Sequence, residues 1–342
     1  MQKKYLVTGG AGFIGSNYVY RLLSRGERAT VLDDLSRPGA NRNVEWLMGT
    51  FGQQSFEMVV GDIRDEDLVS RVVKDADVIL HLAGQVAVTT SIARPREDFE
   101  VNALGTLNVL EAARISDRDP IVLYASTNKV YGALEAVGVI EQPTRYSFAK
   151  LPYGVSETHP LDFHSPYGCS KGAGDQYTMD FHRIYGLRTV VFRQSCIYGP
   201  RQFGIEDQGW LAWFTIAVVT GRPISIYGSG KQVRDVLHID DLLDLYDIAV
   251  QKIGVASGKA YNVGGGVDNT LSIWIEFSPL LEKCLGRRIE VEWGPSRPGD
   301  QRVYISDIRK VSSELGWRPR ISVGQGVESL YNWVVENRNL FT

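Results

Sequence analysis

Residues 4–34, KYLVTGGAGFIGSNYVYRLLSRGERATVLDD, open on an apolar run and pass through a glycine turn into a segment whose apolar positions share one helical face. That segment halts at Gly26, and a second apolar run ends in Asp33 and Asp34. Strand, helix and strand within about 30 residues make a βαβ unit. Short apolar runs recur in FEMVVGD, ADVILHLAG, PIVLYAS and RTVVFRQS, separated by helical patterns such as DFEVNALGTLNVLEAAR and KGAGDQYTMDFHRIYG. Continuous apolar strands alternating with helices predict an α/β fold, a doubly wound parallel sheet covered on both faces. After residue 195 the texture changes to loops bearing glycine, proline and tryptophan, as in IYGPRQFGIEDQGWLAWF, GSGKQVRDVLH and WGPSRPGDQRVY. A first domain over 1–194 and a smaller C-terminal α/β domain over 195–342 are therefore expected. The stretch DVLHIDDLLDLYDIAVQ (235–251) reads as helical, and a return segment 235–264 is expected to pack back on the first domain. Internal repeats and low-complexity tracts are absent.

The glycine turn TGGAGFIG (8–15) fits G-x-G-x-x-G through Gly10, Gly12 and Gly15, and G-x-x-G-x-x-G through Gly9, Gly12 and Gly15. Both patterns put glycine where backbone approaches a pyrophosphate at a helix N-terminus. A lone glycine pattern is weak. Here it follows a strand, opens a helix and precedes, 18 residues after Gly15, an aspartate at a strand end, Asp33, placed to bind ribose hydroxyls. The combination predicts a Rossmann sheet that binds a dinucleotide, which a tight turn without a ligand does not explain. An acid at position 33 repels a 2′-phosphate and favours NAD over NADP, with Arg37 nearby pulling the other way.

In SPYGCSKGAGD (165–175), Tyr167 and Lys171 are four residues apart, after Ser165 as N-cap and Pro166 at the first helical position. Residues i and i+4 share a helix face. A cation beside a phenol favours the phenolate, so Lys171 is expected to lower the Tyr167 pKa and make it a general base.

Composition narrows the partners. With 37 basic and 40 acidic residues the formal net charge is −3 and no long basic run occurs, so neither nucleic acid nor a membrane surface is expected as a partner. MQKKYLVTGG lacks the apolar core of a leader, no apolar stretch is long enough to span a membrane, and a cytoplasmic location is expected. Cys169, Cys196 and Cys284 fit a reducing compartment better than a disulfide framework. The histidines at 81, 159, 164, 182 and 238 show no ligand spacing, so no metal is expected.

With the glycine fingerprint and the Tyr-x-x-x-Lys helix in one chain, TGGAGFIG, GDIRD, HLAGQ, VNALGTLNVLEAA, YASTNKVYG, SPYGCSKGAGDQY, IYGPRQ and RDVLHIDD together resemble the extended short-chain dehydrogenase/reductase family, specifically its nucleotide-sugar epimerases. GQVAVTTSI, STNKVYG, LDFHSPYGCSKGAGDQY and DQGWLAWF are more narrowly similar to its CDP-tyvelose 2-epimerase branch, also called CDP-paratose 2-epimerase. The resemblance implies that Phe13 and Ile14 line the pyrophosphate turn. Asp33, Asp34, Ser36 and Arg37 then hold the adenosine ribose, Asp62 and Ile63 frame the adenine, and Leu82, Ala83, Gly84, Gln85 and Asn102 run along the cofactor. It further implies that Thr127, with Ser126 beside it, contacts the reacting sugar hydroxyl next to Tyr167, while Lys171 also binds the nicotinamide ribose. Gln194, Ser195, Cys196, Gln208, Trp210, Gln232, Arg234, Arg297 and Asp300 match regions that bind the nucleotide-sugar. Relatives of this kind commonly form a homodimer or homotetramer.

Departures from the family patterns separate the reactions. Sugar 4,6-dehydratases carry Asp-Glu after the threonine, where this chain has Asn128-Lys129, so dehydration is disfavoured. The cysteine of 3,5-epimerizing enzymes is missing, leaving Lys129 as the one nearby candidate for a carbon proton. Where many relatives have Asn in R-x-x-N-x-Y-G, this chain has Cys196 in RQSCIYG, which distances it from ordinary UDP-glucose 4-epimerases. The resemblance thus implies NAD-dependent inversion at C2 of a CDP-sugar, CDP-paratose to CDP-tyvelose or CDP-glucose to CDP-mannose, through a transient 2-keto sugar. Alternatives are a nucleotide-sugar 4-epimerase, a dehydrogenase or reductase that releases NADH, and a non-catalytic NAD-sensing protein.

Overall fold

The apolar run KYLVT forms strand β1 (Lys4–Thr8) in a computed structural model that describes residues 2–296 and 301–341. Around it lie β2 (Arg28–Asp33), β3 (Glu57–Val60), β4 (Val78–His81) and β5 (Ile121–Thr127), joined to each neighbour by parallel ladders. Strands Arg188–Gln194 and Lys259–Val263 extend the far edge, giving a seven-stranded sheet in the order Lys259–Val263, Arg188–Gln194, β5, β4, β1, β2, β3. Strand order reverses between β1 and β4, and in such sheets ligands bind outside the strands' carboxyl ends at the switch point. Every strand read from the sequence is present, and the seventh, Lys259–Val263, is one that the apolar runs did not predict.

The helices around these strands include α1 (Phe13–Ser24), α2 (Ala40–Phe51), α3 (Glu66–Val73), α4 (Val88–Ala93), α5 (Pro95–Phe99), α6 (Gly105–Ile115) and α7 (Ser165–Tyr185). The single helix read from DFEVNALGTLNVLEAAR is in fact α5, a π-helical turn over Glu100–Leu104, and α6. Leu6, Leu32, Ile79, Val109, Leu110, Val122 and Phe181 bury a core between sheet and helices. That apolar area, worth roughly 25 cal/mol per Å², is what holds helices to sheet.

The chain divides into two compact units. The first comprises Met1–Val130, Phe163–Arg193 and Leu243–Tyr261, and the second Tyr131–Asp162, Gln194–Leu242 and Asn262–Thr342. The expected boundary after 194 lies one residue from the observed change at Arg193/Gln194. Tyr131–Asp162, read as part of the first domain, belongs to the second unit, where Tyr131 Oη donates to Asn262 Oδ1 (2.7 Å) and Asn262 Nδ2 to the Val155 carbonyl (2.8 Å). The returning segment is Leu243–Tyr261, shorter than 235–264. Its Tyr246 packs edge-on against Tyr18 of α1, and Asp244 and Asp247 pair with Arg21 and Arg25. The helix read over 235–251 starts only at Ile239, because Val233–His238 is a buried strand bonded to Cys196–Tyr198, Thr270–Ser272 and Val303–Tyr304. The second unit's core gathers Tyr198, Leu211, Phe214, Trp274, Phe277, Val327 and Leu330.

Two glycines of the turn after β1 are required by geometry. Gly9 has φ 68°, a left-handed conformation, and a Cβ there would come 2.7 Å from the Ala83 backbone nitrogen. A Cβ on Gly15 would overlap the Gly9 carbonyl and lie 2.5 Å from the Gly10 Cα. Gly49, by contrast, sits exposed in α2 with nothing within 4 Å of such a Cβ. Gly49→Ala is therefore expected to stabilise the protein by about 0.5–1 kcal/mol, and Gly15→Ala to destabilise it by at least about 1–3 kcal/mol. Urea unfolding midpoints of the two variants measure both signs, and an unchanged midpoint for Gly15→Ala would refute the close approach of turn and helix.

Candidate active site

Helix α7 brings the tyrosine and lysine together. Its assigned start is Ser165 with His164 as cap residue, yet Ser165 has φ 65° and its Oγ accepts the Gly168 N–H (3.3 Å), so the expected serine still performs the capping. Tyr167 and Lys171 are both buried, 8% and 5% exposed, on the face toward β5. Thr127 at the end of β5 acts to lower the Tyr167 pKa, while its Oγ1 donates to Asn128 Oδ1 (3.3 Å) and accepts the Lys129 N–H (3.2 Å). The Lys171 ammonium lies 4.4 Å from the centre of the Tyr124 ring, a cation–π contact. Ser126 behaves differently from Thr127. Its Oγ donates to Asp175 Oδ2 (2.7 Å), and Asp175 is held by Arg193 through bonds of 2.9 and 3.0 Å. Thr127, not Ser126, is thus the hydroxyl that acts on the tyrosine.

The electrostatics depart from expectation. Burial pushes the Tyr167 phenol up, and the groups opposing it are the Thr127 hydroxyl and the Arg37 charge, while Asp98 adds to the rise. Lys171 does not lower it, because its own ammonium is desolvated and pushed down to about 7, with Asp175 and Asp98 resisting. His81 beneath the pair is pushed down to about 3 by burial and the Lys171 charge, and its ring nitrogens bond Thr8 Oγ1 (2.7 Å) and Thr106 Oγ1 (3.0 Å).

A polar lattice joins α7 to the loop after β4. Asn102, in the π-helical turn, accepts the Gln85 N–H (2.8 Å) and donates from Nδ2 to the Gln85 carbonyl (3.0 Å) and Ser170 Oγ (3.1 Å). Gly84 lies in this loop, where a Cβ would be 2.8 Å from Asn102 Oδ1 and 3.8 Å from Lys171 Nζ. The Leu82 and Ala83 N–H groups bond the Thr8 carbonyl (3.1 Å) and Oγ1 (3.2 Å).

At the other end, Gly9, Gly10 and Gly12 lead into α1, whose start at Phe13 and Ile14 carries no side-chain cap and so offers bare N–H donors. Asp33 at the end of β2 is buried and accepts the N–H groups of Ala11 (3.0 Å) and Leu35 (2.8 Å). Burial raises its pKa while these N–H groups oppose. Each carboxylate oxygen retains a second lone pair for a ribose hydroxyl. An uncapped helix start beside a buried carboxylate suits a dinucleotide's pyrophosphate and ribose. Asp34 instead folds onto Ser36, whose N–H and Oγ both bond its Oδ1 (3.0 and 2.7 Å). Arg37 is half-buried, in the field of Asp34 and Tyr167. The Asp62 carboxylate turns to Arg64 (2.5 Å), which holds its pKa down, and Ile63 is a core wedge against Gly105.

In the second unit, Gln194, Gln232 and Arg234 are buried. Ser195 Oγ donates to the buried Asp235 (2.5 Å), which also accepts the Ser306 N–H (3.1 Å). Cys196 opens the strand that pairs with Val236, and the backbone of Gln208 pairs with Ile205. Gln232 Nε2 donates to the Tyr227 carbonyl (3.0 Å), and Arg234 Nη1 to the Val233 carbonyl (2.8 Å). The Trp210 indole nitrogen is buried without a partner. Arg297 and Asp300 lie outside the described residues. Among the described residues no cluster of three metal-ligating side chains occurs, and no helix is long and apolar enough to cross a membrane.

Asp98, Ser170, Asp175 and Arg193 were not singled out from the sequence. Asp175 had a legible signal, standing four residues beyond Lys171 in the same motif, whereas Asp98 had none beyond its i, i+4 relation to Asn102.

Comparison with known proteins bears on the fold and the family. The family model for GDP-mannose 4,6 dehydratase matches residues 6–330. A CDP-paratose 2-epimerase of Salmonella typhi is 47% identical over 337 residues, covering 96% of this chain and 98% of the relative. Among solved structures, a UDP-glucose 4-epimerase of Thermotoga maritima with UDP-glucose superposes with TM-score 0.83 at 28% identity, covering 98% of this chain and 99% of that one. A dTDP-glucose 4,6-dehydratase of Streptomyces venezuelae with NAD bound gives TM-score 0.82 at 31% identity, covering 98% of each chain. Matched along nearly its whole length by sequence and by fold, this chain belongs to the GDP-mannose 4,6 dehydratase family of extended short-chain dehydrogenases/reductases.

Proposed function

We propose that the protein is an NAD-dependent epimerase that inverts C2 of a CDP-linked hexose, interconverting CDP-paratose and CDP-tyvelose or acting on CDP-glucose. The observation that carries the chemistry is the buried Tyr167, one helical turn from a buried Lys171. Support for CDP and C2 is the likeness to the Salmonella typhi 2-epimerase, along nearly the full length of both chains.

When bound, NAD supplies a reversible hydride acceptor for the sugar carbon. Tyr167, as phenolate, would take the proton of the C2 hydroxyl as that carbon is oxidised to a 2-keto sugar. After the sugar presents its other face, Tyr167 would give the proton back to the oxygen as C2 is reduced, so no net oxidation occurs. Thr127 orients the reacting hydroxyl. Tyr167 must begin the cycle as phenolate, the form that the protonated state of Lys171 favours, and Lys171 also binds the nicotinamide ribose. We assign Gly9, Gly10, Gly12, Phe13, Ile14 and Gly15 to the pyrophosphate and Asp33 to the adenosine ribose. Arg37 is assigned to the same end of the cofactor, and Gly84, Gln85 and Asn102 to its nicotinamide end. In the second unit, Trp210, Gln232 and Arg234 are assigned to the nucleotide and diphosphate, a reading supported by the unpartnered Trp210 indole and the burial of the Arg234 guanidinium.

Tyr167→Phe removes the proton acceptor while nearly conserving volume. Turnover is expected to fall about 10²–10⁴-fold, with the thermal midpoint unchanged; near-normal turnover refutes the base assignment.

A cofactor regenerated in every cycle has no need to exchange. Freshly purified protein, once denatured, is expected to release NAD or NADH, and Asp33→Ala to release less. Dependence on added NAD for every turnover, with NADH accumulating at 340 nm, would favour a dehydrogenase instead.

CDP-paratose, CDP-glucose and UDP-glucose followed by NMR identify the carbon. A C2 epimer from the CDP-sugars is expected, with deuterium at C2 retained. A C4 epimer from UDP-glucose would overturn the substrate, while solvent deuterium at C2 would point to carbon deprotonation, with Lys129 as the candidate base.

A further inference from the structure

Asp98 belongs to none of the motifs, yet it sits behind the reactive pair. It is 1% exposed on α5 and accepts three hydrogen bonds: at Oδ2 from Ser170 Oγ (2.6 Å), and at Oδ1 from Gln85 Nε2 (2.8 Å) and Asn102 Nδ2 (3.2 Å). Ser170 immediately precedes Lys171, and its Oγ also donates to the Tyr167 carbonyl (3.2 Å). Gln85 is itself locked, because its side-chain oxygen accepts the Ala87 N–H and its Nε2 also donates to the Ala87 carbonyl (2.8 Å). No cation forms an ion pair with Asp98 among the described residues, and a buried carboxylate so placed needs either fixed donors or a nearby positive charge.

We propose that Asp98 is a positioning residue for Tyr167 and Lys171: its buried carboxylate anchors the first turn of α7 through Ser170 and sets a fixed negative charge behind the pair. The inference rests on the assignment of Tyr167 and Lys171 to the chemistry. Other charges face the same pair. Lys171 meets Asp175 of its own helix, neutralised by Arg193, with the Tyr124 ring and His81 from the sheet, and Tyr167 meets Thr127 and Arg37. The remaining charges on and beside α5 point outward, as Arg94–Glu97 and Glu100 with Arg64 and Arg96.

The Asp98 charge acts in one direction on both groups. It raises Tyr167 by disfavouring a second negative charge and raises Lys171 by favouring its cation. Removing it while keeping its shape must therefore move both titrations to lower pH. Asp98→Asn does this: its Oδ1 still accepts from Gln85 and Asn102, and Ser170 still donates to the Tyr167 carbonyl.

The test uses lysine labelled with ¹³C at Cε in the ligand-free protein, with the Lys171 signal assigned by its loss in Lys171→Met. Lys171 is expected to titrate near 7 in the parent protein and about one unit lower in Asp98→Asn. The pH profile of CDP-sugar turnover is expected to move acidward with it. Ser170→Ala keeps the charge and loses the anchor, so it is expected to lower turnover without moving the Lys171 midpoint. If Asp98→Asn does not fold, Asp98→Ser is read in the same way. An unmoved Lys171 midpoint, with turnover lowered equally at every pH, overturns the inference. Full activity in Tyr167→Phe would instead overturn the underlying function while the Lys171 midpoint still decides the role of Asp98.

Discussion

Burying a lysine ammonium is the constraint around which the first unit is organised. Lys171 is 5% exposed, and an unpaired buried cation costs several kcal/mol. Three features offset that cost. Asp175, one turn further along α7, supplies a carboxylate fixed by Arg193 and Ser126. Asp98 supplies a second from α5, and the face of Tyr124 a third, weaker attraction. Even so the pKa falls to about 7, so burial outweighs these attractions in the ligand-free protein.

The packing of α7 on the sheet follows from the same constraint. Tyr124 can present its ring to Lys171 only if helix and β5 come close, and Gly174 makes room, since a Cβ there would lie 2.9 Å from the Tyr124 ring carbon bearing the hydroxyl and 3.3 Å from a Thr106 methyl. Glycine inside a helix costs about 0.5–1 kcal/mol relative to alanine. The arrangement accepts that cost, and the sheet end gains a phenol, an ammonium and a threonine hydroxyl whose backbones are all fixed by regular structure.

The sheet was legible because parallel strands buried on both faces read as unbroken apolar runs, and the turn and Tyr167–Lys171 pair were legible because their chemistry depends on local spacing. Features that depend on contacts between distant segments were hidden. The expectation that Lys171 would lower the Tyr167 pKa used spacing alone and omitted burial, which runs the other way. Ser126 stands beside Thr127 in the sequence, but its hydroxyl is taken up by Asp175 further along α7, a contact that local spacing does not record. The residues around 235 read as helix because the aspartates and leucines that follow continue a helical period. The three strands that pair with Val233–His238 come from elsewhere in the chain and leave no mark on that pattern.

Nothing in the Tyr167–Lys171 arrangement itself selects a carbon of the sugar, because proton and hydride transfer need only a hydroxyl beside the phenol. Selection must then come from how the substrate is held. Residues 194–198 are rigid in the second unit: the Ser195 N–H bonds the Val263 carbonyl (2.8 Å), Ser195 Oγ is tied to Asp235, and Cys196–Tyr198 are paired in register with Val236–His238. On that backbone, a cysteine where the family resemblance implies an asparagine changes the hydrogen-bonding groups at position 196 while the strand pairing stays in register. A thiol is a weak donor and a weak acceptor, whereas an amide offers two donors and an acceptor. Under the function proposed above, a weaker hydrogen-bonding group on an otherwise ordered strand is a route by which one set of reactive groups would act on a different carbon.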